Sequence, residues 1–464
     1  MSNRKVAFLV FVLCSLFLAP MQAQEVKEEV KGKKEEVQAS AFKMHLKQHF
    51  RFYGFIRNYF TYDSRESYSG TGDLYNYQPK DVNPNAYGDD LNAVSTFRFL
   101  SLTTRAGVDI KDYIWRGTEF GGKIEVDFYA GLSTKGTGTH SLSGTAQLRL
   151  RQAYMTMAWD SLPIGKDVAG VQLTIGQTWH PMAADLADVI ALNSGAPFGP
   201  FNRSPQVKMD ARFGRYVTLT ASALWQMQYL SIGPEGQSAE YIAYSKTPEA
   251  YLGLSFHHKG FIGRVGADVL SIKPRHLGKD AAGETVRVKD RITTASPFLY
   301  LQYQQGDFSI KAKTIFAEAG EHMNMNGGYG VKRVNADGSW EYTPTRTSTS
   351  WISIVYGGKL PNDSKLQGIL FGGYIHNLGT KDELAMNADG TPVGYYYPRV
   401  KNMNNMWRLS PTILWTIGKF QLGCEYEITS VNYGTGSVAT NGLVATGRHW
   451  VTNHRVQLMT KYNF

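Results

Sequence analysis

From about residue 50 onward, apolar and polar residues alternate with a period of two, as in strands with one greasy and one wet face. Phe120, Ile124, Val126, Phe128 and Leu132 share one side of such a segment, and Glu119, Lys123, Glu125, Asp127 and Tyr129 share the other. Val207, Met209, Ala211 and Phe213 oppose Gln206, Lys208, Asp210 and Arg212. Phe420, Leu422, Cys424, Tyr426 and Ile428 oppose Gln421, Glu425, Glu427 and Thr429. The chain ends in the same way, with Val456, Leu458, Tyr462 and Phe464 set against Arg455, Gln457, Lys461 and Asn463. A soluble sandwich would alternate too, so the period alone does not choose between a dry core and lipid.

The connections do choose. About sixteen segments recur, at roughly 50–62, 95–110, 118–130, 146–159, 171–180, 205–213, 216–230, 250–258, 261–271, 296–306, 308–317, 348–357, 367–376, 405–417, 419–431 and 448–464. Links after even segments are short, such as Lys259 with Gly260, or Gly418; links after odd ones are long, such as Asp63 to Val94 or Glu318 to Thr347. Alternating turn lengths predict an all-β, transmembrane, antiparallel up-and-down barrel with tight periplasmic turns and long extracellular loops. An even count places both termini in the periplasm, and counts of fourteen or eighteen also fit the pattern.

The N-terminal end supplies the compartment. Arg4 and Lys5 precede an apolar run from Val6 to Ala19, too short to span a bilayer well, followed by Pro20, Met21, Gln22 and Ala23. Residues 1–23 therefore read as a secretory signal, 24–48 as a charged periplasmic tail and 49–464 as the barrel. Val30 and Val37 are one heptad apart, but Lys33 takes the intervening seam position and Gly32 interrupts, so a solvated tail is favoured over a coiled coil. Without the signal, Cys424 has no partner for an internal disulfide.

Composition agrees with a barrel. Aromatics make up 13% of the chain and 47 glycines are spread along it, which suits interfacial girdles and turns. A mean hydropathy of -0.30 looks soluble, but only every second strand residue would face lipid. The formal charge of +10 raises nucleic acid as a partner, yet the basic residues are scattered and no zinc-finger or RNA-recognition signature accompanies them. Parity gives them another use. Arg105, Lys123, Arg149, Arg151, Lys208, Arg212, Arg264, Lys311, Lys313 and Arg455 fall on the polar columns, together with Asp109, Glu125, Asp127, Asp210, Asp268, Glu425 and Glu427. A water-filled interior lined this way is mixed in charge with a basic excess, which favours anions, unless the charges pair among themselves. Arg149 and Arg151, about 7 Å apart on one strand, are the candidate selectivity element.

The stretch from His180 to Arg203 is unlike the other long links, being moderately apolar with a short helix expected at Ala183 to Leu192. A link of that kind is expected to fold into the barrel and narrow it, with Asp185 and Asp188 facing the basic wall across a gap. An outer cap or a subunit contact is the alternative. Enzymatic signals are weak: His257 and His258 are adjacent on a strand and diverge, and Asn453 with His454 lacks a suitable serine. The Gly327, Gly328, Tyr329, Gly330 run reads as turn chemistry. No catalytic residue, metal or cofactor is expected.

Four stretches resemble the DcaP-like trimeric porins of bacterial outer membranes. They are Tyr53, Gly54, Phe55 and Ile56; Leu148, Arg149, Leu150, Arg151 and Tyr154; Gly176, Gln177, Thr178 and Trp179; and Arg203, Pro205, Gln206 and Val207. The resemblance implies a sixteen-stranded homotrimer passing small anionic solutes such as dicarboxylates. It also implies a constriction loop between Trp179 and Arg203, carrying Asp185 and Asp188. Family members can carry a longer N-terminal coiled coil, so trimerisation here would run through the barrel walls. The expected partners are outer-membrane lipid, lipopolysaccharide and, through the C-terminal strand, the barrel-assembly machinery, with no nucleic acid. The leading expectation is an outer-membrane diffusion porin passing small hydrophilic, preferentially anionic solutes. The alternative is an adhesion or structural barrel acting through its long loops.

Overall fold

In hydrocarbon an unpaired backbone amide costs several kcal/mol, so a sheet that spans must close on itself. The computed structural model, which describes residues 49–70, 74–101, 103–129, 147–160, 168–397 and 401–464, shows that closure. The signal and tail expected at 1–48 lie outside these residues, as does the link after the third strand.

Sixteen antiparallel strands form the barrel. They are β1 (Phe50–Asp63), β2 in two pieces (Thr96–Leu100 and Arg105–Trp115), β3 (Thr118–Tyr129), β4 (Gln147–Trp159), β5 (Val168–Trp179), β6 (Arg203–Phe213), β7 (Val217–Leu224) and β8 (Glu249–His258). The second half comprises β9 (Phe261–Ile272), β10 (Ile292–Gln305), β11 (Phe308–Glu318), β12 (Trp340–Leu360), β13 (Ser364–Thr380), β14 (Met403–Ile417), β15 (Phe420–Tyr433) and β16 (His449–Asn463). Each strand pairs with its sequence neighbours, and β1 closes on β16 from Phe55 opposite Asn463 to Asp63 opposite Arg455. The short turns after even strands use left-handed residues: Arg116 and Gly117, Gly214, Lys259, Gly306, Asn362 and Asp363, and Gly418.

Among the irregularities that escape the periodic reading, two shape the interior. β2, expected as one segment ending near 110, is broken around Thr103, whose φ is 78°, and runs on to Trp115. The break is bridged from β1, where Arg57 donates from Nε and Nη2 to Thr103 Oγ1 at 3.0 and 2.9 Å and the Arg57 amide donates to Thr104 Oγ1 at 3.3 Å. In β4 a bulge shifts the register, so that Arg149 faces Asp127 while Gln152 faces Glu125, with Arg151 as the extra residue.

The two faces invert the usual soluble arrangement. Phe52, Leu148, Ile413 and Tyr356 stand out on the exterior, whereas Asp127, Arg151, Asp268, Arg408, Glu427 and Arg455 are buried inside. The interior is itself divided. Tyr251, Phe298, Tyr300, Trp351 and Phe371 point inward from β8 to β13 and form an apolar core with Met182 and Phe198 of the 180–202 segment. That wall is therefore aromatic where a uniformly polar interior would be expected from parity.

At the seam, the Phe464 amide donates to the Gly54 carbonyl at 3.1 Å. A Cβ on Gly54 would lie 2.4 Å from the Phe464 ring and 2.6 Å from the Arg105 carbonyl. Gly54→Val is therefore expected to cost about 1–3 kcal/mol through overpacking. Urea unfolding in lipid vesicles measures this, and an unchanged midpoint would contradict the packing assigned to the seam.

Candidate functional site: the filled lumen

β2, β3 and β4 place a charged wall inside the barrel. Arg149 makes a forked pair with Asp127, both hydrogen bonds 2.9 Å long. Arg151 donates to Glu125 at 2.8 Å and to Asp127 at 2.6 Å. Arg105 stands 3.6 Å from Glu125, and Lys123 is 2.9 Å from Asp109. Tyr53 joins them, its hydroxyl donating to Glu125 at 3.0 Å and accepting from Lys123 at 3.2 Å. The two arginines singled out for selectivity are thus salt-bridged; Arg149 is partly exposed and Arg151 is buried.

The four sequence stretches that carry the porin resemblance meet here. Gln177 Nε2 on β5 donates to the carbonyls of Leu150 at 3.2 Å and Arg151 at 3.1 Å, capping the β4 bulge. Gly176, with φ of 129°, leaves the space, since a Cβ there would stand 2.3 Å from the Ala153 carbonyl. Thr178 donates to Gln152 at 2.9 Å, and Gln206 donates to the carbonyl of Trp179 at 2.9 Å. Arg203, buried at the start of β6, lies 4.7 Å from the Trp179 ring centroid and 5.6 Å from that of Phe201. Trp179 and Arg203 are thus strand ends flanking the loop.

The 180–202 segment folds into the barrel, but the helix expected at Ala183 to Leu192 is absent. A three-residue 3-10 turn, Pro181–Ala183, is the segment's only helical element. The segment instead runs irregularly to 190 and through successive turns at 192–197, and gives several of its backbone polar groups to the wall. The Ile190 carbonyl accepts from Tyr59 at 2.8 Å and the Ile190 amide donates to Glu425 at 2.9 Å. The Ala196 carbonyl accepts from Arg408 at 3.1 Å, and the Phe198 carbonyl from Thr349 at 2.8 Å. Lys313 donates to the Met182 carbonyl. Asp185 pairs with Arg264, and Asp188 with Lys311 at 2.8 Å. The acids therefore bind the wall directly and do not face it across a gap.

A second segment, which the hydrophobic pattern did not flag, enters the lumen beside the first. In the long link after β1, strands Ser67–Gly70 and Tyr75–Pro79 form a hairpin. Leu74, Asn76 and Gln78 are almost fully buried. Arg408 donates to the carbonyls of Asn76 and Tyr77 at 3.0 and 2.9 Å, and Asn76 donates to Glu427 at 2.9 Å. Arg455 pairs with Asp63 at 2.7 Å and donates to the Leu74 carbonyl at 3.0 Å. The only prior signal for this hairpin was the surplus of inward arginines, which needed acceptors.

Not every basic residue is brought into this network. Lys208 pairs with Asp210 along its own strand at 2.8 Å, and Arg212 pairs with Asp160 at 3.0 Å near a rim. Arg57 and Lys461, opposite each other on β1 and β16, make no ion pair among the described residues. Both flank the Phe55 ring, at 4.9 and 4.5 Å, and Arg105 lies 5.0 Å from the same ring. Sequence reasoning missed Arg57 and passed over Lys461 because parity counts charges without showing which remain unpaired. The histidines considered for chemistry do not assemble a site: His454 Nδ1 is 2.8 Å from the Tyr426 hydroxyl, while Asn453 turns to Asp63 at 2.8 Å.

A closed barrel with an apolar exterior and a charged interior is an outer-membrane architecture. No protein-family model and no curated protein matches the chain. Solved structures match in fold. The outer-membrane channel DcaP of Acinetobacter baumannii aligns with a TM-score of 0.59 at 19% identity, over 89% of this chain and 97% of that one. An anion-selective porin from Comamonas acidovorans aligns at 0.48 and 9% identity over 89% and 99% of the two chains. OprB of Pseudomonas putida aligns at 0.46 and 10% identity over 92% and 97%. The first of these likenesses establishes a shared barrel fold.

Removing Arg151 would leave Asp127 and Glu125 buried with less compensation, so Arg151→Ala is expected to cost about 3–5 kcal/mol. Arg149→Ala should cost clearly less, because its head is partly solvated and Asp127 keeps Arg151. Equilibrium unfolding of the two variants side by side checks the order, and equal losses would contradict it. Asp185→Asn with Asp188→Asn should loosen the inner segment. Single-channel records should then show larger or noisier current than the parent, and identical traces would mean that these pairs do not hold the constriction.

Proposed function

We propose that this chain is a DcaP-like outer-membrane diffusion porin, assembled as a homotrimer through its barrel walls. It passes small hydrophilic solutes, preferentially anions of the dicarboxylate kind. The observation that carries this reading is the residual charge of the interior. Most inward acids are matched by arginine or lysine, or covered by the folded-in segments, whereas Arg57 and Lys461 flank Phe55 with no carboxylate partner among the described residues. Unmatched cations in a narrow, low-dielectric passage lower the free energy of an entering anion and raise that of a cation. Arg149 and Arg151 contribute as a paired ladder whose outer member, Arg149, remains partly accessible.

The fold likeness to a channel supports passage, and the anion preference rests on this chain's own residues. An adhesion barrel would present its long loops outward. Here two of the long links turn inward and spend polar groups on the wall, which suits a narrowed passage.

Reconstitution in planar bilayers tests the proposal. The parent should conduct, and its reversal potential under a salt gradient should show anions crossing more readily than cations. Arg57→Gln with Lys461→Gln should reduce that preference more than Arg149→Gln with Arg151→Gln, since the second pair already has carboxylate partners. A folded but silent protein would favour the adhesion reading, and a cation-selective parent would sink the anion assignment.

A further inference from the structure

Four buried side chains meet where the inner segments join the wall. His180 opens the 180–202 segment, Glu249 begins β8, Asp268 lies on β9, and His322 sits in the turn Gly320–Met323. None is more than 1% exposed. Hydrogen bonds fix their proton positions. His180 Nδ1 accepts the Met182 amide at 3.1 Å, so the ring is neutral there, and its Nε2–H donates to Glu249 Oε1 at 2.8 Å. His322 Nδ1 lies 3.1 Å from the Ala319 carbonyl, to which it can only donate.

The remaining nitrogen, His322 Nε2, is 3.5 Å from Glu249 Oε1 and 3.5 Å from Asp268 Oδ2. It makes no hydrogen bond among the described residues, and neither do Glu249 Oε2 and Asp268 Oδ1, the latter standing 3.4 Å from His180 Nε2. Among the described residues, no lysine or arginine forms an ion pair with either carboxylate. Two carboxylates and an imidazole nitrogen without a hydrogen bond thus converge in a buried site, an arrangement that a bound cation would balance.

Ligands about 2.1 Å from a tetrahedral centre stand about 3.4 Å apart, close to the separations at His322. We propose that Glu249, Asp268 and His322 bind one zinc-class divalent cation. A divalent ion balances the two carboxylates, and one imidazole with two carboxylates is a donor set that such a borderline ion accepts. The Ala319 carbonyl holds the His322 ring by its other nitrogen, and His180 is a positioning residue that orients Glu249. The ion joins the β8–β9 wall to the turn after β11, and through His180 to the start of the inner segment. It staples the lumen filling to the barrel.

The test uses the full-length, untagged protein in detergent, stripped with EDTA and then titrated with Zn²⁺ or Co²⁺ alone. The expected result is about one tightly bound equivalent per chain, visible absorption bands with Co²⁺ and a higher unfolding temperature with Zn²⁺. His322→Ala should lose the bound equivalent, while His180→Phe should bind about 10–100-fold more weakly. Native protein that takes up no stoichiometric Zn²⁺ or Co²⁺ and keeps its unfolding temperature overturns the proposal, whether or not the variants fold. Full uptake by folded His322→Ala overturns it as well. Metal uptake is read without conductance, so its outcome is independent of the transport reading.

Discussion

Closure of the sheet is the constraint from which the rest follows. With β1 paired to β16, every strand has two neighbours and the exterior presents only side chains to lipid. Closure also creates an inside, and the strand period then sends half of all side chains there. An interior walled off from bulk water must find partners for whatever charge it receives. The arginines and carboxylates of β2 to β4 satisfy one another across strands. Those of β9 to β16 are met by folded-in chain, with Arg408 and Arg455 reaching the backbone of the first hairpin and Glu425 taking an amide from Ile190.

These two solutions divide the lumen. On the β8 to β13 side, inward aromatics and the buried Phe198 make a dry core in which close approach matters, as at Gly373, where a Cβ would be 2.5 Å from the Phe198 ring. On the β2 to β4 side the wall is polar and partly accessible. The inner segment belongs energetically to the wall that runs from β11 to β15 and on to β1, because Lys313, Thr349, Arg408, Glu425 and Tyr59 bond its carbonyls and amides there, and the proposed solute path lies along β2 to β4.

Strand positions, turn lengths and the inward parity of the charged columns were legible because each depends on neighbours one or two residues away. Alternation at 118–129 or 420–433 needs no knowledge of the fold. What could not be read was anything set by a partner distant in sequence. Nothing local marks Arg151 as the extra residue of a bulge, because the register of β4 is decided by β3 and by the Gln177 amide. The apparent helix at 183–192 failed because the wall takes the segment's own polar groups: Glu425 accepts the Ile190 amide, Ser353 the Asp188 amide, and Tyr59 donates to the Ile190 carbonyl. His180 and His322 are 142 residues apart in the chain, so no spacing rule could join them.

The bulge in β4 has a consequence that resembles a change of reading frame. Before it, odd-numbered residues such as Arg149 and Arg151 face inward; after it, even-numbered ones do, as Gln152, Tyr154 and Thr156 show by their register with Glu125, Lys123 and Gly121. In a barrel the two frames specify different solvents. Flattening the bulge with Arg151 kept in the strand would move Tyr154 and Thr156 into lipid and bring Met155 and Met157 into water, altering every later position of the strand at once, whereas deleting Arg151 would remove the bulge and leave the frame unchanged. One side-chain amide, on Gln177, thus keeps half a strand in the correct medium.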